Sequence, residues 1–145
     1  MLRKKTKNMS DNHFNIPEGT TMIKHNTFPE HRRHTIETVT IPTSVKSIGV
    51  SAFYRCISLV DVTIPASVKS IGNNAFQNCH ALEEVTIPSS VESIGYSAFQ
   101  ECIALEKVNI PNSIESIGNK AFCACSALEE AVSYTHLTLP TTPYV

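Results

Sequence analysis

The sequence predicts a β-rich solenoid, a stack of short coils that share one parallel sheet and one continuous core. Three observations lead there. A 23-residue period recurs four times without a gap, each copy opens on a strand-like alternation closed by proline, and the large apolar residues of each copy fall on one side. The copies are VTIPTSVKSIGVSAFYRCISLVD (39–61), VTIPASVKSIGNNAFQNCHALEE (62–84), VTIPSSVESIGYSAFQECIALEK (85–107) and VNIPNSIESIGNKAFCACSALEE (108–130). A fixed period of this size marks a repeat architecture in which each unit is one supersecondary element.

The second copy gives each position a physical task. Val62 and Ile64 alternate with Thr63, the period-two pattern of a strand with one buried face. Pro65 has no N–H and ends the hydrogen-bond ladder. Val68 and Ile71 supply a second apolar pair ahead of Gly72, where a turn through positive φ is expected. Ala75, Phe76, Cys79 and Leu82 stand at spacings of 0, 1, 4 and 7, one face of a short helical arc. One such coil cannot bury that face alone. Stacking is expected to set Val62 on Val39 and Val85, and Phe76 in a column with Phe53, Phe99 and Phe122, which makes the strands parallel.

Residues 14–38 read as a degenerate first repeat. Ile16-Pro17 matches Ile41-Pro42, and Ile23 and Phe28 keep offsets of seven and twelve residues from Ile16. Ile36 and Val39 then arrive two residues late, and His31 stands where the regular copies have Cys. Terminal repeats are commonly atypical because they cap the stack. Residues 1–13 are expected to be a basic polar leader without fixed structure.

The motif IPxSVxSIGxxAFxxCxxLxxVxIP resembles that of the BspA-like leucine-rich repeats, fully across 39–130 and loosely across 14–38. The resemblance implies a right-handed leucine-rich-repeat solenoid, with a parallel sheet along one side and short helical or 3-10 turns. It also implies a surface or adhesion-type protein, since family members are often surface proteins of host-associated bacteria and protists that bind host proteins or neighbouring cells. An intracellular protein-interaction scaffold is one alternative, and the repeat region of a larger protein with a separate catalytic domain is another. The start, Met1 to Lys7, resembles the charged front of a signal peptide, but Asn8 to His13 supplies no apolar segment behind it.

From residue 131 the repeat is lost. The segment AVSYTHLTLPTTPYV carries no charge and lacks the Ile-Pro, Gly and Ala-Phe of the copies, and Val132–Leu137 is similar to one reading frame of a common sequencing adapter. Residues 131–145 are therefore expected to be non-native, leaving the fourth coil uncapped and the chain monomeric or associated end to end.

Composition excludes several function classes. The formal net charge is −1, split as seven Lys/Arg against four Asp/Glu in residues 1–38 (+3) and five against nine in residues 39–130 (−4). An acidic body with a basic leader disfavours nucleic acid, whose phosphates need facing cations. No apolar run approaches the length of a membrane span.

Cys56, Cys79, Cys102 and Cys125 recur once per period, with Cys123 extra. Stacked strands lie about 4.8 Å apart, wider than the Cβ spacing of about 3.8 Å that a disulfide favours, so apolar packing is expected of them. His25, His31 and His34 have the spacing H-x5-H-x2-H, but no fourth zinc ligand is evident and a solvated loop is expected. No nucleophile elbow or phosphate-binding glycine loop is present, and neither a catalytic residue nor a cofactor is expected.

Function is thus assigned to the surface. Thr40, Thr63, Thr86 and Asn109 point outward between the buried residues of each strand, and Thr38, Asp61, Glu84 and Lys107 stand just before them. Thr also suits any exposed strand position, but a rigid polar ladder flanked by charge is the face solenoids use to bind other proteins. Its projection is only about 300 Å², against about 800 Å² per partner in a specific interface, so a longer array is expected in the natural protein.

Overall fold

The computed structural model describes residues 12–128 and 130–132. Each coil contributes two short strands. Six form the front: β1 (His13–Asn15), β3 (Thr38–Thr40), β5 (Asp61–Val62), β7 (Glu84–Thr86), β9 (Lys107–Asn109) and β11 (Glu130–Val132). Five form the back: β2 (Met22–Ile23), β4 (Ser47–Ile48), β6 (Ser70–Ile71), β8 (Ser93–Ile94) and β10 (Ser116–Ile117). All pairings are parallel and step by one coil, as in Val39↔Val62 at the front and Ile71↔Ile94 at the back. The back strands were not separated from the bend in the sequence, because two residues are too few to display a period.

The back sheet is continuous over five strands, whereas the front is two three-stranded sheets, β1-β3-β5 and β7-β9-β11. At the seam, Asp61 and Glu84 occupy the same place in successive coils, and like charges directly opposite one another disfavour pairing. The flanking registers, Thr38↔Asp61 and Glu84↔Lys107, carry no such repulsion. Val62 and Val85 are both buried, but the expected ladder between their strands is missing.

The core follows the period. Phe53, Phe76, Phe99 and Phe122 form a stack with centroids 4.8, 5.1 and 5.3 Å apart and rings within 4° of parallel. Phe28 joins it tilted by 47° and Phe14 meets Phe28 edge-on at 60°, so the regular stack loosens toward the first coil.

The arc after each glycine is not helical in the four regular copies. Ser51, Arg55 and their counterparts Asn74, Asn78, Ser97, Glu101, Lys120 and Ala124 all have φ between 54° and 63°. Each left-handed residue costs about 1–2 kcal/mol, and it turns neighbouring amides along the solenoid axis. Ser51, Phe53 and Arg55 donate their N–H groups to the carbonyls of Asn73, Ala75 and Gln77 in the next coil at 2.9, 2.7 and 2.9 Å. The pattern recurs one coil on, with Asn74, Phe76 and Asn78 donating to Tyr96, Ala98 and Gln100. The arcs therefore form a third ladder, with N–H groups facing one end of the stack and carbonyls the other. Among the described residues, 3-10 turns occur only in the first coil, at His25–Thr27 and Glu30–Arg32.

The role of the recurring glycine also differs from expectation. Among the described glycines only Gly19 has positive φ, at 93°. Gly95 is required by close approach instead: a Cβ there would lie 2.6 Å from the Asn73 nitrogen and 2.7 Å from the Gly72 carbonyl carbon. Successive coils touch backbone to backbone at this corner.

The first coil begins at His13, one residue before the boundary at 14, and its two-residue excess is taken up by the Glu30–Arg32 turn. The Cys place is thereby passed from His31, which is exposed, to Arg33, which is 1% exposed. Arg33 Nη1 donates to the carbonyls of Ala52 (3.3 Å) and Tyr54 (2.8 Å), Nη2 donates to the carbonyl of His25, and Nη1 lies 3.7 Å from Cys56 Sγ. The guanidinium caps the carbonyl end of the arc ladder, where aligned peptide dipoles place partial negative charge. At the other end, β11 continues the register beyond Glu130 with Ala131↔Val108 and Val132↔Asn109. The remainder of the expected non-native tail, 133–145, lies outside the described residues, as does the leader up to residue 11.

Candidate functional site

The front strands place their residues by alternation. In β7 and β9 the central Val85 and Val108 are buried, and the residues on either side point outward. Thr40, Thr63, Thr86, Asn109, Asp61, Glu84 and Lys107 are all exposed. They form two parallel columns, one of Thr and Asn and one of mixed charge.

These seven residues are not equivalent. Asp61, Thr63, Glu84 and Thr86 gather around a hollow of about 380 Å³ at the seam between the two front sheets, with Val62, Ile64 and Pro88 completing it. The same like-charge juxtaposition that interrupts the ladder thus opens the surface. Neither carboxylate has a cation partner: the one ion pair among the described residues joins His25 and Glu30 at 3.9 Å. Lys107 lies opposite Glu84 in register, yet forms no ion pair with it. The hollow therefore presents two carboxylates without an ion-pair partner among the described residues, and two hydroxyls.

Thr40, Lys107 and Asn109 do not line the hollow. Thr40 is also already engaged. His13 spans the first rung, with Nδ1 2.6 Å from Thr38 Oγ1 and Nε2 2.8 Å from Thr40 Oγ1. Assigning His13 to the leader concealed this contact. An Ile-Pro after it at the right interval, Ile16-Pro17, was the signal that its strand had begun.

The cysteines are part of the interior. Cys79, Cys102 and Cys125 donate their thiol hydrogens to the carbonyls of Phe53, Phe76 and Phe99 in the preceding coil at 3.2, 3.1 and 3.0 Å. Apolar packing is thus only half of their role, the other half being a weak donor that satisfies a buried carbonyl. Burial pushes the Cys56 thiol up to about 11 despite the nearby Arg33, pushes Cys125 up to about 12, and raises Cys79 as well. Cys123 is only half-buried. Among the described residues no group of three or more His, Cys, Asp or Glu could hold a metal ion, and no helix is long and apolar enough to cross a membrane.

Comparisons agree with this architecture. The profile of the BspA-type leucine-rich repeat region matches six copies across residues 5–132. In structure the chain is similar to a leucine-rich-repeat protein of T. pallidum, with 30% identity and a TM-score of 0.75 over 81% of this chain and 56% of that one. It is similar also to a leucine-rich-repeat protein of Bacteroides ovatus, with 32% identity and a TM-score of 0.73 over 83% and 33% of the two chains. A leucine-rich cell surface protein of Faecalibacterium prausnitzii matches at 25% identity and a TM-score of 0.50, over 83% and 47%. No curated protein matches the chain. The chain spans between a third and somewhat over half of the length of these solved relatives.

Proposed function

The chain belongs to the BspA-type leucine-rich-repeat family, and from that premise we propose that it is a non-enzymatic module whose front strands bind a partner protein at a cell surface. The observation that carries this reading is the hollow at the front seam, where Asp61 and Glu84 stand exposed, with no cation partner among the described residues, beside Thr63 and Thr86. The two front sheets that flank the seam, joined behind it by the continuous back sheet, hold these groups in place before a partner arrives, which lowers the entropy cost of association. Two neighbouring carboxylates favour a Lys or Arg side chain from that partner, the hydroxyls take its hydrogen bonds, and the exposed Thr and Asn columns extend the contact to either side. The surface location is supported by the likeness to the F. prausnitzii cell surface protein. The area of the front face also favours a longer array, as the greater length of the solved relatives does.

The test compares two variants of the full chain as immobilised probes for host-cell surface proteins. Asp61→Lys with Glu84→Lys reverses the charge of the hollow, and Lys46→Glu with Lys69→Glu makes the same number of changes at exposed bend positions. Proteins held by the wild type are expected to bind the first variant about tenfold or more weakly, the scale of a lost interfacial hot spot, and the second as well as before. Equal retention by the first variant, with its circular dichroism unchanged, contradicts the reading.

A further inference from the structure

We propose that the shoulder of the first coil, away from the front strands, is a binding site for an oxyanion, a sulfate or phosphate group. A hollow of about 320 Å³ there is lined by His25, Glu30, Arg33, His34, Tyr54 and Arg55. The sequence separates these residues into a histidine-rich irregular stretch and the first regular arc. The two-residue excess of the first coil brings them together.

The hollow carries a positive charge that nothing in the described residues neutralises. Arg33 and Arg55 contribute two fixed cations against the single carboxylate of Glu30, and Glu30 is 82% exposed and lies 3.9 Å from His25 Nε2 rather than on either guanidinium. Arg33 is 99% buried. Its Nη groups bond to backbone carbonyls, but carbonyl dipoles leave its net charge intact, and no carboxylate pairs with it among the described residues. Its Nε–H is also buried and has no hydrogen-bond partner. A guanidinium held out of water beneath an open hollow focuses positive potential into it, and the desolvation it has suffered favours an added anion.

The other lining groups suit the same ligand. Arg55 stands at φ 60° on the rim, exposed, with its guanidinium 6.0 Å from the centre of the Tyr54 ring, the outer limit of a cation–π contact. An arginine fork matches two oxygens of a sulfate or phosphate. The Tyr54 hydroxyl and the His34 imidazole add O–H and N–H donors, while His25 already donates its Nδ1–H to the Ser51 carbonyl at 3.1 Å, and with the two guanidinium groups donors outnumber acceptors around the hollow. A ligand that only accepts hydrogen bonds and carries negative charge complements that set. A metal cation does not, since it meets two guanidinium groups and one displaced carboxylate.

The experiment follows backbone amide shifts of the labelled full chain during titration with sodium phosphate, and separately with a sulfated disaccharide, at constant ionic strength held with sodium chloride. Saturable shifts confined to the neighbourhood of His25, His34, Tyr54 and Arg55 are expected, with dissociation constants near about 1 mM for the simple ion. Arg55→Gln, an exposed and conservative change, is expected to weaken binding by about tenfold, equivalent to 1.4 kcal/mol, while Lys69→Glu leaves it unchanged. Tighter binding of the disaccharide assigns the group to a sulfated glycan, and tighter binding of phosphate assigns it to the free ion. Shifts that grow without saturating, that scatter over the surface, or that survive Arg55→Gln undiminished overturn the proposal.

Discussion

Replacing Phe76 with alanine removes the middle of the aromatic stack. The ring is fully buried and lies parallel to Phe53 at 4.8 Å and to Phe99 at 5.1 Å. Returning its apolar surface to water in the unfolded chain no longer disfavours unfolding, a loss of about 1.5–3 kcal/mol. Each aromatic contact adds about 0.5–1.5 kcal/mol beyond area, and two are lost. The neighbouring coils cannot collapse into the space, because the back and arc ladders fix their separation on both sides, so a cavity remains. These terms add to about 2.5–6 kcal/mol, a span that brackets the loss of about 3–5 kcal/mol known for buried Phe→Ala changes. Urea denaturation followed by far-ultraviolet circular dichroism measures it, the chain having no Trp for fluorescence. Because each coil is supported only by its neighbours, amide exchange is expected to quicken in the coils on both sides of the change. A loss below about 1 kcal/mol, or exchange altered in the mutated coil alone, would refute the stacking argument.

Other perturbations test other parts of the structure. Gly95→Ala forces a Cβ to within 2.6 Å of the Asn73 nitrogen, and prising the coils apart is expected to cost about 1–3 kcal/mol in the same urea experiment. A neutral outcome would mean that the corner is looser than described. Arg33→Leu leaves the Ala52 and Tyr54 carbonyls without donors, for an expected loss of about 2–4 kcal/mol. Arg33→Lys is expected to recover only part of this, since one ammonium cannot reproduce the fork. With a thiol reagent near neutral pH, Cys123 is expected to react in the folded protein, while Cys56, Cys79 and Cys125 wait for unfolding. The same thiols make stability fall in alkali. Cys56 and Cys125 rise from an ordinary value of 9.0 to about 11 and about 12, so the folded form holds protons that the unfolded form releases. Their contribution is therefore complete below pH 9 and declines as pH rises toward 11–12, by up to about 1.4 kcal/mol per pH unit for each thiol. A flat profile from pH 8 to 11 would contradict it.

Much of this architecture was legible because the repeat displays it four times. Phe53, Phe76, Phe99 and Phe122 had to stack once the period was fixed, and they do. The conformation of the arc was hidden, because spacings of 0, 1, 4 and 7 suit a helix as well as an arc of alternating handedness. Nothing in Ser51, Arg55 or Lys120 announces positive φ, which the cross-coil bonds impose. Gly95 was read through the common property of glycine, its torsional freedom, when its small size was what the stack required. Arg33 was obscured by the two-residue slip, although counting back one period from Cys56 leads to it. At the front face the outward residues were identifiable from alternation alone. Their division into a seam hollow, an engaged Thr40 beside His13, and outlying Lys107 and Asn109 depended on neighbours in three dimensions.

The central claim, that the front seam is where a partner protein sits, is tested most directly by carbodiimide labelling of carboxylates in the free and partner-bound protein. Asp61 and Glu84 line the hollow, while Glu92 and Glu115 are exposed in the bends. All four are expected to label in the free chain. On binding, Asp61 and Glu84 are expected to lose most of their labelling, with Glu92 and Glu115 unchanged. Undiminished labelling of Asp61 and Glu84 in a saturated complex would contradict the account.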